Sequence, residues 1–192
     1  MVEFALIFPV VIFAVFGIVE FSLMMFSVGS SRWAAAEGGR IVSEQGIQSR
    51  KCSDVAGCVR LGRAPASACD ADCQAISTIN ITPIGTTSFA AVDEIDVQKL
   101  AVASNGALSN DISGACSPNG CINKYTLGGG NIAGWTNNYP PGTRGVTLGS
   151  ADYVSVTIRY HYPWKTGLMT RFPVPNLVAT YAIRLEPQKF GP

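Results

Sequence analysis

The stretch FALIFPVVIFAVFGIV, Phe4–Val19, decides the architecture. It holds no polar side chain, and after Glu20 the apolar run resumes through FSLMMFSV, Phe21–Val28. As a helix, residues 4–28 extend about 37 Å, and a bilayer core is about 30 Å thick. A helix apolar on every side suits lipid better than the surface of a small soluble domain. A cleaved signal peptide fits less well, because residues 1–31 contain no Lys or Arg and the run exceeds a signal-peptide core. The segment therefore reads as a membrane anchor. Three residues are odd for a plain anchor. Glu3 and Glu20 are carboxylates in or beside an apolar helix, and each needs a partner, water or a proton. Pro9 removes one helical hydrogen bond and is expected to kink or loosen the helix.

The helix is expected to continue through Ser31–Gly46. Glu37, Arg40 and Glu44 sit at i,i+3 and i,i+4 spacing for ion pairs, and Gly46 is a natural C-cap. Ala35, Gly39 and Val42 form a small-residue stripe that lets another element approach closely, most simply the chain's own globular part.

Composition changes after this helix. Residues 32–192 carry all 14 Lys and Arg and 11 of the 13 acids, so an ordinary polar domain of net charge +3 follows a greasy anchor. Charged residues are 14% and hydrophobic ones 47%, which excludes a disordered polyelectrolyte. A whole-chain charge of +1 argues against nucleic-acid binding. Strands are expected at Ile76–Thr82, within Val92–Ala103, at Tyr153–Tyr162 and at Leu177–Leu185. The third is the clearest, with Val154, Val156, Ile158, Tyr160 and Tyr162 on one face. Pro163, Pro173 and Pro175 mark a long connection between the last two. Residues 104–150, rich in Gly, Asn, Ser and Pro, read as a long loop region. The whole is α+β: a long N-terminal hydrophobic helix over residues 1–46, then a small antiparallel β-sheet domain over 47–192 whose sheet offers one face to a helix.

Six cysteines, Cys52, Cys58, Cys69, Cys73, Cys116 and Cys121, fall into three local pairs. An even count behind an apolar N-terminus points to disulfides outside the cytoplasm. Six cysteines allow 15 pairings, and 52–58, 69–73 and 116–121 is a choice by proximity alone. Metal binding is disfavoured, since no C-x-x-C occurs and the single histidine, His161, is remote in sequence. An exported domain carrying Arg32 and Arg40 beside its anchor runs against the positive-inside rule, which a basic leader ahead of Met1 would reconcile.

Enzyme signatures are missing: there is no G-x-S-x-G, H-E-x-x-H or P-loop. His161 lies on the polar face of a strand, where surface packing is the simpler reading. Asp93, Glu94 and Asp96 lack the EF-hand pattern and read as a solvated turn. Trp135 and Tyr139, on a loop with several amides, suit recognition of a sugar or another subunit, or else pin that loop to the sheet.

Together these residues resemble a known family. Val2–Pro9, then Gly17-Ile18-Val19-Glu20-Phe21, then Ala35-Ala36-Glu37-Gly38-Gly39-Arg40, are similar to the N-terminal signature of TadE-like proteins, minor pilins of the tight-adherence branch of type IV pili. The strand ending Tyr160-His161-Tyr162-Pro163 and a last strand ending Arg184-Leu185-Glu186-Pro187 resemble the family's closing hairpin more loosely. The resemblance implies a type IV pilin-like fold without catalysis or cofactor. It implies a chain that is cut by a prepilin peptidase, rests in the inner membrane before assembly, and then enters an extracellular filament through the pilus assembly machinery and other pilin subunits. Glu3 would take the part of the glutamate that supports cleavage or assembly and pairs with a neighbour's N-terminal amine, although it stands third where that glutamate is usually fifth. Glu20 would make a second polar contact between packed helices, or reach water or a proton at the helix end. The competing expectations are a membrane-anchored extracytoplasmic adhesin or ligand-binding domain, and a secreted enzyme.

Overall fold

A computed structural model of the chain describes residues 2–47, 49–51, 68–86, 89–113, 116, 119–128, 131–167 and 169–187. It has the expected α+β arrangement of one long apolar helix and an antiparallel sheet. Helix α1 runs unbroken from Val2 to Gln45, with Pro9 inside it. It stops at Gly46, whose φ of 40° puts it in the left-handed region, and the Gly46 amide donates to the Val42 carbonyl at 2.9 Å. That is the C-cap a glycine provides without a Cβ penalty. Strands β1 (Ser49–Lys51) and β2 (Ala68–Asp70) pair with each other. Helices α2 (Ala71–Ile81) and α3 (Pro83–Thr86) follow. The main sheet is built from β3 (Ala91–Val102), β4 (Leu108–Asn110), β5 (Ile122–Gly128), β6 (Asn131–Asn137), β7 (Tyr153–His161) and β8 (Asn176–Arg184). Its order is β6-β5-β3-β7-β8, with β4 pairing the far end of β3, and every pairing is antiparallel.

Two expectations change. Ile76–Thr82 is not a strand: Ile76–Ile81 is helix and Thr82 is its C-cap. Asp70 caps α2 by accepting from the Cys73 amide at 3.0 Å, and the buried Ala71, Ala75, Ile76 and Ile79 follow helical spacing. The β-branched run is overridden because its apolar residues meet α1 one turn apart. Residues 104–150 also hold more than loop: β5 and β6 form a hairpin there. Its inward residues Asn123, Tyr125 and Leu127 alternate with exposed Lys124, Thr126 and Gly128. The polar, glycine-rich composition masked a strand buried on one face only.

The inner face of the sheet forms rows across the strands, for example Tyr125, Ile95, Ile158 and Ala179. Upon it lie α2 and the second half of α1, in one shared hydrophobic core. Ala34, Ala35 and Val42 of α1 are fully buried in that core. Gly38 and Gly39 allow the close approach. A Cβ on Gly38 would lie 2.7 Å from Ile79 Cδ1 of α2, and one on Gly39 2.8 Å from Tyr181 Cδ1 of β8. The small-residue stripe thus packs on the chain's own domain. Ser31 and Ser43 add polar stitches, to the Tyr160 hydroxyl at 2.9 Å and the Arg184 carbonyl at 2.8 Å. The first half of α1 is different: Leu6, Phe13, Phe16 and Val19 are exposed, and the helix is long and apolar enough to cross a membrane.

Candidate functional site

The border between these two halves of α1 is Glu20. It follows the exposed apolar segment and is itself only 2% exposed. Its neighbour is the β7–β8 connection. After β7 the chain turns at Pro163 and comes back against α1, so that one carboxylate meets three donors. Oε1 accepts from the Tyr162 hydroxyl at 2.9 Å and from the Lys165 amide at 2.9 Å. Oε2 accepts from the Thr166 amide at 2.7 Å. Bonds of this kind to a charged acceptor are about twice as strong as neutral ones. Burial and the Glu20 carboxylate together push the Tyr162 hydroxyl's pKa far up, so it stays a donor. Glu20 therefore has partners within its own chain, and the contact between packed helices that the sequence offered is not needed to satisfy it. The Trp164 indole closes the connection by donating to the carbonyls of Phe172 at 3.1 Å and Pro173 at 3.3 Å.

The other expected site residues are scattered. Glu3 and Pro9 lie in the first turns of α1, more than two turns before Glu20. Trp135, on edge strand β6, is 63% exposed, whereas Tyr139 is 2% exposed, so the two do not make one recognition surface. Tyr139 is a core residue. Its hydroxyl donates to Asp152 Oδ2 at 2.7 Å, and its amide donates to Asn123 Oδ1 at 2.7 Å. Of the cysteines, Cys116 and Cys121 form a disulfide with Cα atoms 4.6 Å apart, next to the junction of β3 and β4. Cys73 is buried in α2. Cys52 and Cys58 lie outside the described residues, as does the side chain of Cys69.

The acidic cluster lies on strand β3 rather than in a solvated turn, and its members are paired across the sheet. Arg159 Nε of β7 lies 3.2 Å from both Glu94 and Asp96. His161 Nδ1 lies 2.9 Å from Asp93, which sits at the β-bulge between Val92 and Glu94. Among the described residues no group of His, Cys, Asp and Glu is arranged to hold a metal ion.

Sequence reasoning missed a buried polar knot. Arg144, from the turn after the short 3-10 helix Pro141–Thr143, and Asp72, from the first turn of α2, meet with both side chains fully buried. Arg144 Nη2 lies 2.6 Å and 2.7 Å from the two Asp72 oxygens. Asn123 and Tyr125 donate to Asp72 Oδ2 at 2.8 Å and 2.9 Å, and the guanidinium stacks 4.9 Å from the Tyr139 ring centre. Arg144 also donates to the carbonyl of Gly46 at the end of α1. Burial opposes the guanidinium charge, but Asp72 more than offsets this and the Arg144 pKa rises. Burial, then the Asp72 charge, push the Tyr125 hydroxyl far up. This knot joins α1, α2, β5 and the Tyr139 loop as a buried fastener. No local signal marks it, since its members are spread from position 46 to 144.

Comparison with known proteins adds one match. No curated protein and no solved structure matches the chain. Residues 1–40 match a family model described as TadE-like protein. The matched region takes in the exposed apolar segment, Glu20, and Ala35 and Gly39 of the small-residue stripe. A membrane-length apolar helix and this match point to a membrane-anchored, pilus-associated protein. Over residues 1–40, about a fifth of its length, the chain is similar to TadE-like proteins.

Proposed function

We propose that the chain is a structural pilin subunit of a tight-adherence, type IV-like pilus and carries out no catalysis. Residues 1–46 serve as membrane anchor and then as filament-core helix, and residues 47–192 form the exposed, disulfide-bonded domain. The observation that carries this reading is the division of α1. Residues 6–19 expose a largely apolar surface, while the same helix from Ala34 to Val42 is embedded in the domain core. Such a subunit presents a rigid greasy rod that either lipid or other rods can cover. The inner membrane takes it first, and other pilin subunits replace lipid in an extracellular filament, after processing by a prepilin peptidase and delivery by the assembly machinery. Glu3 and Pro9 belong to that rod. A carboxylate there needs a cation, and with no Lys or Arg in residues 1–31 the N-terminal amine of the same or a neighbouring subunit supplies it.

Electron microscopy of purified surface filaments tests the reading. Subunits stacked through α1 are expected, and a chain that stays strictly monomeric in the membrane refutes it. Glu3→Ala is expected to lower incorporation into filaments while membrane insertion and the folded domain persist. Normal incorporation of that variant removes the role of Glu3.

A further inference from the structure

We propose that the β7–β8 connection, residues 162–167 and 169–175, lies in the headgroup layer of the bilayer that α1 crosses and recognises anionic phospholipid there. The proposal rests on the membrane-anchor reading of α1 and goes beyond it.

The first argument is one of level. Glu20 lies sixteen residues after Phe4, where the apolar run begins, so it is about 24 Å along the helix. The hydrocarbon core is about 30 Å thick. With Phe4 at one face of the core, Glu20 is about 6 Å short of the other, so whatever holds it is not out in bulk water. The apolar surface also does not stop at this level. At 100° per residue, Phe21 and Met25 point away from the Glu20 side, and they are 59% and 49% exposed. Lipid that covers Met25 rises about 7 Å past Glu20. The connection bonded to Glu20 thus stands at a height that lipid occupies on the other side of the same helix.

The second argument is chemical. The connection contains Lys165 and Arg171 and no Asp or Glu. Both cations are exposed, and beside them Phe172 is 59% and Val174 45% exposed. Trp164 and Tyr162 pack edge to face with ring centres 5.9 Å apart. Aromatic residues, exposed aliphatics and cations without acids make up the chemistry of the membrane interface. Irregular backbone is tolerated near lipid only when its polar groups are satisfied. Glu20 satisfies the amides of Lys165 and Thr166 on the side facing the helix. On this view Glu20 is the clasp that sets how deep the domain sits.

The test uses the full chain with Trp33→Phe and Trp135→Phe, leaving Trp164 as the reporter, in vesicles of phosphatidylcholine and phosphatidylglycerol. Lipids brominated near the headgroup are expected to quench Trp164 more than lipids brominated near the chain ends. Brominated phosphatidylglycerol is expected to quench at about fivefold lower local fraction than brominated phosphatidylcholine, the advantage worth one interfacial cation. Lys165→Glu with Arg171→Glu should abolish that preference, while flotation with vesicles persists because α1 still inserts. Should the double tryptophan variant fail to fold, the difference in emission between wild type and Trp164→Phe gives the same readout. A chain that floats with Trp164 unquenched overturns the proposal and leaves the anchor standing. Quenching protection that appears only on cross-linking of copies also overturns it, in favour of a second copy on this surface. A chain that does not float overturns both readings.

Discussion

Replacing Glu20 by Ala removes three hydrogen bonds at once. The two that matter most for the connection run from the backbone amides of Lys165 and Thr166, at 2.9 Å and 2.7 Å. Hydrogen bonds to a charged group contribute about 1.5–3 kcal/mol each. The two amides are only partly buried, so water re-satisfies part of the loss. A local opening free energy of about 3–4 kcal/mol follows from the lower half of that range. At 1.4 kcal/mol per factor of ten, this amounts to hydrogen-exchange protection of about 10²- to 10³-fold for these amides. In Glu20→Ala both should exchange close to the rate of an open loop, while amides of β7 such as Val156 and Ile158 keep theirs. Glu20→Gln separates the two positions. The carbonyl oxygen of Gln still accepts from Tyr162 and Lys165, but its NH₂ then faces the Thr166 amide, donor against donor. Thr166 should lose protection while Lys165 keeps most of it. Site-resolved exchange in detergent micelles measures all three chains. Equal protection of Lys165 and Thr166 in wild type and Glu20→Ala would refute the clasp.

Three other outcomes follow from the fold. Asp72→Asn leaves the fully buried Arg144 guanidinium without its counter-charge and is expected to destabilise the chain by about 3–5 kcal/mol in thermal or urea unfolding; a loss under about 1 kcal/mol would show that the knot is not a fastener. Gly38→Leu pushes side-chain atoms into Ile79, which a Cβ alone already approaches to 2.7 Å, and should cost about 1–3 kcal/mol or more. Gly38→Ala should be close to neutral, because the gain in helix propensity of about 1 kcal/mol offsets the contact with a flexible side-chain end, and a stabilised Leu variant would contradict the packing described. Asp111 has its pKa lowered by the Ser113 hydroxyl and amide, which donate at 2.7 Å and 3.0 Å, so its stabilising effect is present above the ordinary carboxylate range and is lost as pH falls through the lowered value. The stability gap between wild type and Asp111→Asn should accordingly be open at neutral pH and close in acid; a gap that widens in acid would reverse the sign of this linkage.

Elements whose signal is local were legible in the chain. The β7 alternation from Val154 to Tyr160 became a buried strand face, because a period of two needs no distant partner to be recognised. The Arg40–Glu44 pair forms at 2.7 Å because helix geometry alone puts the two residues side by side. The Cys116–Cys121 bridge likewise joins neighbours in sequence. Elements defined by what they pack against were misread. Ile76–Thr82 has strand-like composition, and it is helical because Ile76 and Ile79, one turn apart, are both buried in the core shared with α1. Tyr139, open in the sequence between a recognition loop and a pin to the sheet, is core because Asn123 and Asp152 receive its polar groups.

What the sequence by itself determined is the rod: a run of apolar residues of membrane length, followed by small residues on one helical face, and a domain of alternating strands behind it. These are properties of composition and period, and hydrophobic exclusion acts on them whatever the rest of the chain does. The tertiary structure alone decided where the rod stops being free. Nothing near Glu20 in the chain names Tyr162, Lys165 or Thr166, about 140 residues further on. A buried carboxylate must find donors, but which donors it finds depends on how β7 is registered against β3 and on how closely Gly38 and Gly39 let α1 settle on the sheet. Those are long-range packing outcomes, and they turn a polar residue in a greasy helix into the joint between anchor and domain.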